Sequence, residues 1–185
     1  MSNNNNNNNN FININEINKE KMEELKNSDN TIEFFSLNNL KTIGKIVDVY
    51  DGDTCTINIL IPNVIKTKFL GFTNTKINYT IQKYKCRMNG YDSAEMKPLK
   101  TDINREQIKK KAVEDRDYFC KLVNFEENHN NIVNIECLEF DKYGRLLVNI
   151  YNKDNKKIND LMIESNHGYT YSGGTKQKII YSEEK

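Results

Sequence analysis

The chain reads as a small, mainly β domain with packed helices, an α+β arrangement, behind a polar tail. Three observations carry that expectation. Short apolar runs with two-residue alternation flank Asp-Gly and Tyr-Gly turn signals. One long amphipathic stretch lies between the third and fourth of those runs. The first 30 residues differ in composition from everything that follows.

Asn3 to Asn10 form an unbroken asparagine run. Such a run has no apolar surface to bury and cannot offset the entropy of ordering, so residues 1–30 are expected to be a disordered tail. Ile14, Ile17, Met22 and Leu25 trace only a weak helical stripe within it. Residues 31–41 read as a linker, 42–175 as the folded domain and 176–185 as a charged C-terminal tail. Ile43, Ile46, Val47 and Val49 lead into Asp51-Gly52, after which Cys55, Ile57, Ile59 and Ile61 alternate, predicting a β-hairpin. The stretch from Pro62 to Lys85 is rich in Thr, Lys and Asn, with Phe69 to Phe72 strand-like, and Ile81 to Met88 is a third strand. Pro98 opens a polar loop.

Ile108, Ala112, Phe119, Leu122 and Val123 recur at helical spacing, so 105–123 is a helix, with Asn104 as N-cap and Gln107 completing a loose capping box. Ile132–Phe140 and Leu146–Tyr151 form a second hairpin through Asp141-Lys-Tyr-Gly144. Ile158 to Asn166 is a short helix, stopped at Gly168. The order β-β-β-α-β-β-α fits a small antiparallel barrel with two or three helices. The OB-fold leads, because its five-stranded topology places a helix between the third and fourth strands.

A length of 185 residues leaves room for one domain and a tail, and 29% charged with 37% hydrophobic residues is ordinary for a globular protein. The net charge of +1 excludes a global positive field, so any polyanion must meet a local basic patch. Cys55, Cys86, Cys120 and Cys137 are widely spaced with no C-x-x-C pair, and read as buried free thiols in a reducing compartment. No apolar run reaches membrane-spanning length and no signal-peptide pattern opens the chain, so an intracellular or non-classically exported protein without membrane contact is expected. A monomer is expected as well. His129 and His167 lie in polar surroundings and are expected to be solvated, which leaves zinc hydrolases and histidine-based nucleases without parts.

Three segments carry the candidate chemistry: Asp51-Gly-Asp53-Thr54, Arg87 through Asp92-Ser93-Ala94-Glu95, and Asp141-Lys142-Tyr143-Gly144-Arg145. Carboxylate oxygens suit a hard cation, and a guanidinium fork matches two phosphate oxygens. Phosphodiester hydrolysis needs these parts: a cation to polarise the phosphate, arginines to neutralise growing charge, and a spare carboxylate to activate water. Asp51 and Asp53 flank a glycine, so a tight turn can aim both at one point. Asp92 ends the strand that carries Arg87, and Glu95 in the next loop can approach the attacking water. Singly, each segment also reads as a turn or a solvated charge; their conjunction makes the case.

The order and spacing of these segments resemble the thermonuclease (staphylococcal nuclease-like) family over about residues 42 to 170, including Asn159 where a helix opens. The resemblance implies a five-stranded OB barrel, Ca²⁺ as the metal, and cleavage of DNA and RNA to leave 3′-phosphate ends. It implies Asp51 and Asp92 as direct metal ligands, the backbone carbonyl of Ser93 as a third, and Asp53 near the metal. Glu95 would be the general base, Arg87 and Arg145 would clamp the scissile phosphate, and Lys142 and Tyr143 would contact a terminal phosphate. Three departures stand out. Ala94 replaces the family's usual proline, and the 62–85 segment is longer than in short bacterial members, allowing an extra hairpin or lid. Tyr169 and Tyr171 do not align cleanly with the family's base-stacking tyrosines, leaving base stacking and surface packing both open. The rival reading is a non-catalytic nucleic-acid-binding or scaffold module of the same fold.

Overall fold

The structure, a computed structural model, describes residues 17–69, 72–125 and 131–174, with side chains throughout except at 64–69 and 72–74. The chain divides into two compact units, Met1–Ser36 and Leu37–Lys185. The asparagine run lies outside the described residues. In the first unit, helix α1 (Lys19–Lys26) starts where the Asn18 side chain accepts the Glu20 N–H at 2.8 Å, an N-cap that takes up one orphan donor. It buries none of its residues.

The second unit begins inside the stretch read as linker, because Leu37 is buried in the core. Its elements are β1 (Lys41–Val49), β2 (Thr54–Phe69), β3 (Phe72–Met88), β4 (Tyr91–Asp92), α2 (Arg105–Leu122), β5 (Ile132–Phe140), β6 (Leu146–Tyr151), α3 (Ile158–Glu164) and β7 (Tyr169–Thr170). Strands β1-β2-β3-β6-β5 close into a barrel, while β4 and β7 pair separately. This strand order, with α2 between the third and fourth barrel strands, is an OB-type α+β fold. The expectation of an antiparallel barrel is corrected at one seam, since β3 and β6 pair in parallel from Cys86↔Leu146 to Met88↔Val148. Five strands cannot alternate direction around a closed ring, so one seam has to be parallel.

The alternation of β2 is the interior face: Cys55, Ile57, Ile59 and Ile61 are buried, meeting Ile46, Cys86, Met88, Ile135, Cys137, Leu146, Val148 and Ile150. Phe119 and Val123 at the end of α2, and Ile158 and Met162 of α3, join the same cluster. All four cysteines are free thiols, three of them in this interior, and burial pushes Cys86 up to about 12 and Cys137 up to about 11.

Two helix-end expectations need correction. Asn104 sits at the N-cap of α2 but its side chain makes no cap bond; instead Asp102 accepts the Asn104 N–H at 3.0 Å. Helix α3 ends before Gly168. Asn166 takes the left-handed conformation (φ 59°), its N–H reaching Ile163 O at 3.0 Å and that of His167 reaching Met162 O at 2.9 Å. Gly168 serves closeness instead, because a Cβ there would lie 2.5 Å from the Tyr91 ring.

The Thr/Lys/Asn-rich stretch from Pro62 and the strand expected at Ile81–Met88 belong to one pair of long strands, so the longer 62–85 segment does form an extra hairpin. β2 and β3 pair without a break from Thr54↔Arg87 to Phe69↔Phe72. β1 accompanies β2 only as far as Ile59, and β6 accompanies β3 only over Cys86–Met88. From Leu60↔Ile81 outward the hairpin is therefore a two-stranded arm. Among the described residues no helix is long and apolar enough to cross a membrane.

Candidate functional site

The β1–β2 turn forms the first wall. Asp51 Oδ1 accepts the Asp53 N–H at 3.1 Å, and the Tyr50 N–H reaches Thr54 O at 3.0 Å. Glycine at 52 is required by crowding rather than by φ: a Cβ would lie 2.9 Å from Asp115 Cβ and 3.0 Å from Ser93. Gly52 O in turn accepts the buried Tyr91 hydroxyl at 2.6 Å.

Arg87 enters from the end of β3, beside Thr54 in register. Its guanidinium pairs with both Asp53 and Asp92. Asp53 Oδ2 accepts the Ser93 N–H at 2.7 Å and the Ser93 hydroxyl at 3.0 Å, while Oδ1 accepts from Thr54 Oγ1 at 3.0 Å. Asp92 Oδ2 accepts the Tyr169 hydroxyl at 2.5 Å. Asp51, Asp53, Arg87, Asp92 and Ser93 are all buried, whereas Glu95 is exposed. Burial pushes the Asp51 carboxyl up to about 6; Arg87 opposes that shift and Glu95 adds to it. Burial and the bond to Asp92 push the Tyr169 hydroxyl well above the ordinary tyrosine range, so it stays a donor.

These residues form one group of four carboxylates and one guanidinium. Among the described residues no three Asp, Glu, His or Cys side chains converge closely enough to hold an ion by themselves. A cation here would also need backbone oxygen and water, which a hard oxygen-seeking ion accepts. The donor set of Asp51, Asp92 and the Ser93 carbonyl has that chemistry. The raised Asp51 carboxyl fits it, because a cation would relieve the cost of that buried charge.

Arg145 is held differently. Its Nε and a terminal nitrogen each lie 2.7 Å from Asp141 Oδ2, and Asp141 Oδ1 accepts the N–H of Tyr143 and of Arg145 at 2.9 Å each. The β5–β6 turn is thus self-contained, with Gly144 at φ +79°. Arg145 directly precedes β6, whose Leu147 lies beside Arg87, yet its fork closes on Asp141. Tyr143 at the tip is 73% exposed, with Lys142 Nζ 5.1 Å and Arg145 Cζ 5.6 Å from its ring centre. Tyr169 joins the carboxylate group, while the Tyr171 hydroxyl donates to Gly174 O at 2.9 Å.

Asp115 and His167 were missed as partners of this site. Asp115 on α2 is 1% exposed, and its Oδ2 accepts the Ala94 N–H at 3.3 Å, in the loop between Ser93 and Glu95. Its Oδ1 pairs with Lys111 and lies 2.9 Å from His167 Nδ1. His167 also stacks on Tyr118 with ring centres 4.1 Å apart, which corrects the expectation of a solvated histidine; His129 lies outside the described residues. A signal existed: Asp115 stands on the Ala112–Phe119 stripe, where a charge is out of place without a partner. Asn159 is likewise buried, accepting the Ile150 N–H at 3.1 Å and donating to Asn89 O at 2.9 Å.

No protein-family model matches this chain, and no curated protein matches it. Similar solved structures include the extended Tudor domain TD3 of mouse TDRD1, in complex with a MILI peptide containing dimethylarginine 45. That similarity has a TM-score of 0.45 at 9% identity, covering 76% of this chain and 97% of that one. The human TDRD1 extended Tudor domain, in complex with a symmetrically dimethylated peptide, has a TM-score of 0.30 at 9% identity, covering 80% of this chain and 73% of that one. Similarity this weak carries no argument about what the chain binds, and it does not show membership of the thermonuclease family.

Proposed function

We propose that the chain is a Ca²⁺-dependent phosphodiesterase that cuts nucleic acid to leave 3′-phosphate ends. The supporting observation is the charge imbalance: Asp51, Asp53, Asp92 and Glu95 gather about Arg87, and Asp51 is pushed up to about 6. A purely structural network gains nothing from such an excess, and a polyanion could not approach it without a cation. Asp51, Asp92 and the Ser93 carbonyl would hold the Ca²⁺, with Asp53 beside it. When bound, the ion supplies a Lewis acid at a phosphate oxygen.

The chain's own residues do the rest. Asp53 and Tyr169 orient Arg87 and Asp92. Arg87 exchanges one carboxylate for phosphate oxygens and stabilises the charge growing on them. Glu95 takes a proton from the attacking water as the water oxygen bonds to phosphorus; the bond from phosphorus to the 5′ oxygen breaks, and that oxygen leaves and takes its proton from solvent water. Arg145 would serve as a second clamp by leaving Asp141 for the phosphate.

One observation favours a second reading, a non-catalytic nucleic-acid-binding or scaffold module: both guanidinium forks are already closed on carboxylates. The two readings separate in one experiment. Purified chain is incubated with single-stranded DNA and RNA in Ca²⁺, Mg²⁺ or EDTA, and product ends are identified. Cleavage in Ca²⁺, none in EDTA, and 3′-phosphate ends are expected. Glu95→Gln should lower the rate by roughly 10² or more while binding of uncut oligonucleotide persists. If the parent cuts nothing in Ca²⁺, the second reading stands.

A further inference from the structure

Between Thr54 and Tyr91 the sequence contains no aspartate or glutamate, but it holds Lys66, Lys68, Lys76, Lys83, Lys85 and Arg87. Subtracting these six from the chain's 27 cationic residues leaves 21 against 26 acidic ones, so the rest of the chain carries −5. The near-zero net charge therefore hides a segregation. In space the cationic segment is the β2–β3 hairpin, whose outer part, among the described residues, pairs with no other strand of the barrel.

Alternation along β3 sorts its residues by face. Cys86 faces the barrel interior, so Arg87, Lys85, Lys83, Ile81, Tyr79 and Ile77 form one file on the opposite face. That file starts at the carboxylate group and runs for roughly 33 Å, at about 3.3 Å per residue, along the barrel part of β3 from Arg87 to Lys83 and then onto the arm from Ile81 to Ile77. Lys83 and Lys85 are exposed, and beyond them Ile81, Tyr79 and Ile77 are 71%, 58% and 52% exposed. Every residue from Thr75 to Lys83 is exposed, so neither side of β3 is covered there. A lysine-studded strand can serve only to prevent edge pairing, but that purpose needs neither the absence of acid nor a file in line with Arg87.

We propose that this face of the β2–β3 hairpin, the arm together with the stretch of β3 that leads to it, binds nucleic acid, with Lys83 and Lys85 at the arm's root on phosphates and Tyr79 and its aliphatic neighbours on bases or a groove wall. A two-stranded ribbon fits the major groove of a duplex, and an exposed tyrosine stacks on unpaired bases, so the two forms of nucleic acid differ in how they use Tyr79. The arm leads its ligand toward Arg87, which rests on the proposed phosphodiesterase reading; binding by the arm does not.

The test is anisotropy with labelled single-stranded and duplex 20-mers in EDTA, across 50 to 200 mM salt, on the full chain. The parent should bind with a strong salt dependence. Lys83→Gln/Lys85→Gln should weaken binding about tenfold and reduce the slope of log K against log salt by roughly 1.4 (single strand) to 1.8 (duplex). Lys153→Gln/Lys156→Gln, the same charge change in the β6–α3 loop, should leave the slope unchanged. Tyr79→Ala should weaken single-strand binding more than duplex binding if bases stack on it. All these positions are exposed, and thermal unfolding checks that each variant folds. The proposal is overturned if the parent binds neither nucleic acid, if the arm variant keeps the parental slope, or if it loses only binding to vesicles of anionic lipid. A parent that binds through the arm yet cuts nothing in Ca²⁺ sinks the phosphodiesterase and spares the arm. A parent that cuts, with an arm variant unchanged in binding, does the reverse.

Discussion

The Tyr169 hydroxyl donates to Asp92 at 2.5 Å, so strand β7 closes over a carboxylate that Arg87 holds from the other side. Backbone pairing of Asp92 with Tyr169 and of Tyr91 with Thr170 sets that contact, and Asp92 is buried. Tyr169→Phe keeps the ring and removes the donor. A hydrogen bond to a buried charge contributes about 1.5–3 kcal/mol. The variant should lose that much stability in urea unfolding, and an unchanged midpoint would show the contact to be idle.

The two arginines should separate by stability. Removing Arg87 strands Asp53 and Asp92 in a buried site, so Arg87→Ala should cost about 3–5 kcal/mol. Arg145 pairs with one partly accessible carboxylate at a turn, so Arg145→Ala should cost about 1 kcal/mol or less. Under the phosphodiesterase reading both should still lose cleavage by orders of magnitude. Equal stability losses would mean that the buried network is not what holds Arg87.

Asp51 makes a prediction about pH in metal-free buffer. Its folded value of about 6 lies above the ordinary 3.8, so between those values the folded chain keeps a proton that the unfolded chain has released. Stability therefore falls as pH rises through that window, by on the order of 2–3 kcal/mol. Asp51→Asn in EDTA should gain about that much at pH 7 and nothing near pH 4. Ca²⁺ added to the parent should stabilise it at pH 7 and fail to at pH 4. A variant no more stable than the parent at pH 7 would remove the case for a costly buried charge.

Asp115 is a buttress shared by α2, the Ser93–Glu95 loop and His167. Asp115→Ala leaves the Ala94 N–H, Lys111 and His167 without their shared acceptor and should cost about 3 kcal/mol or more. His167→Phe keeps the stack on Tyr118 and loses only the bond, so about 1–2 kcal/mol is expected. Chemical denaturation of both variants checks the order; a larger loss for His167→Phe would contradict it.

Much of the barrel was legible because its hairpins are local. Alternation at Cys55, Ile57, Ile59 and Ile61 follows from one wet face and one dry one, and the turns at Asp51-Gly52 and Tyr143-Gly144 announce themselves by residue type. The outer arm was legible only as extra length in the 62–85 segment, with hairpin and lid both open, for the same reason inverted. Thr75 to Lys83 is exposed on both faces, so burial imposes no alternation there. The end of α3 was misread because Asn166, rather than the nearby glycine, adopts the left-handed turn.

For the candidate site, the sequence by itself determined which residue types are present, and their proximity along two hairpins and one loop. Tertiary structure alone decided their pairing. Asp53, Arg87, Asp92 and Tyr169 meet because β2, β3, β4 and β7 converge, whereas the Arg145 fork turns to Asp141 four residues away. It also decided that Asp115 and His167 stand behind the loop, and that the third and fifth barrel strands run parallel. The physical reason is common to all of these. Patterning records only which face of its own element a side chain must bury, whereas a buried charge takes its partner from whichever element the closing of the barrel brings against it.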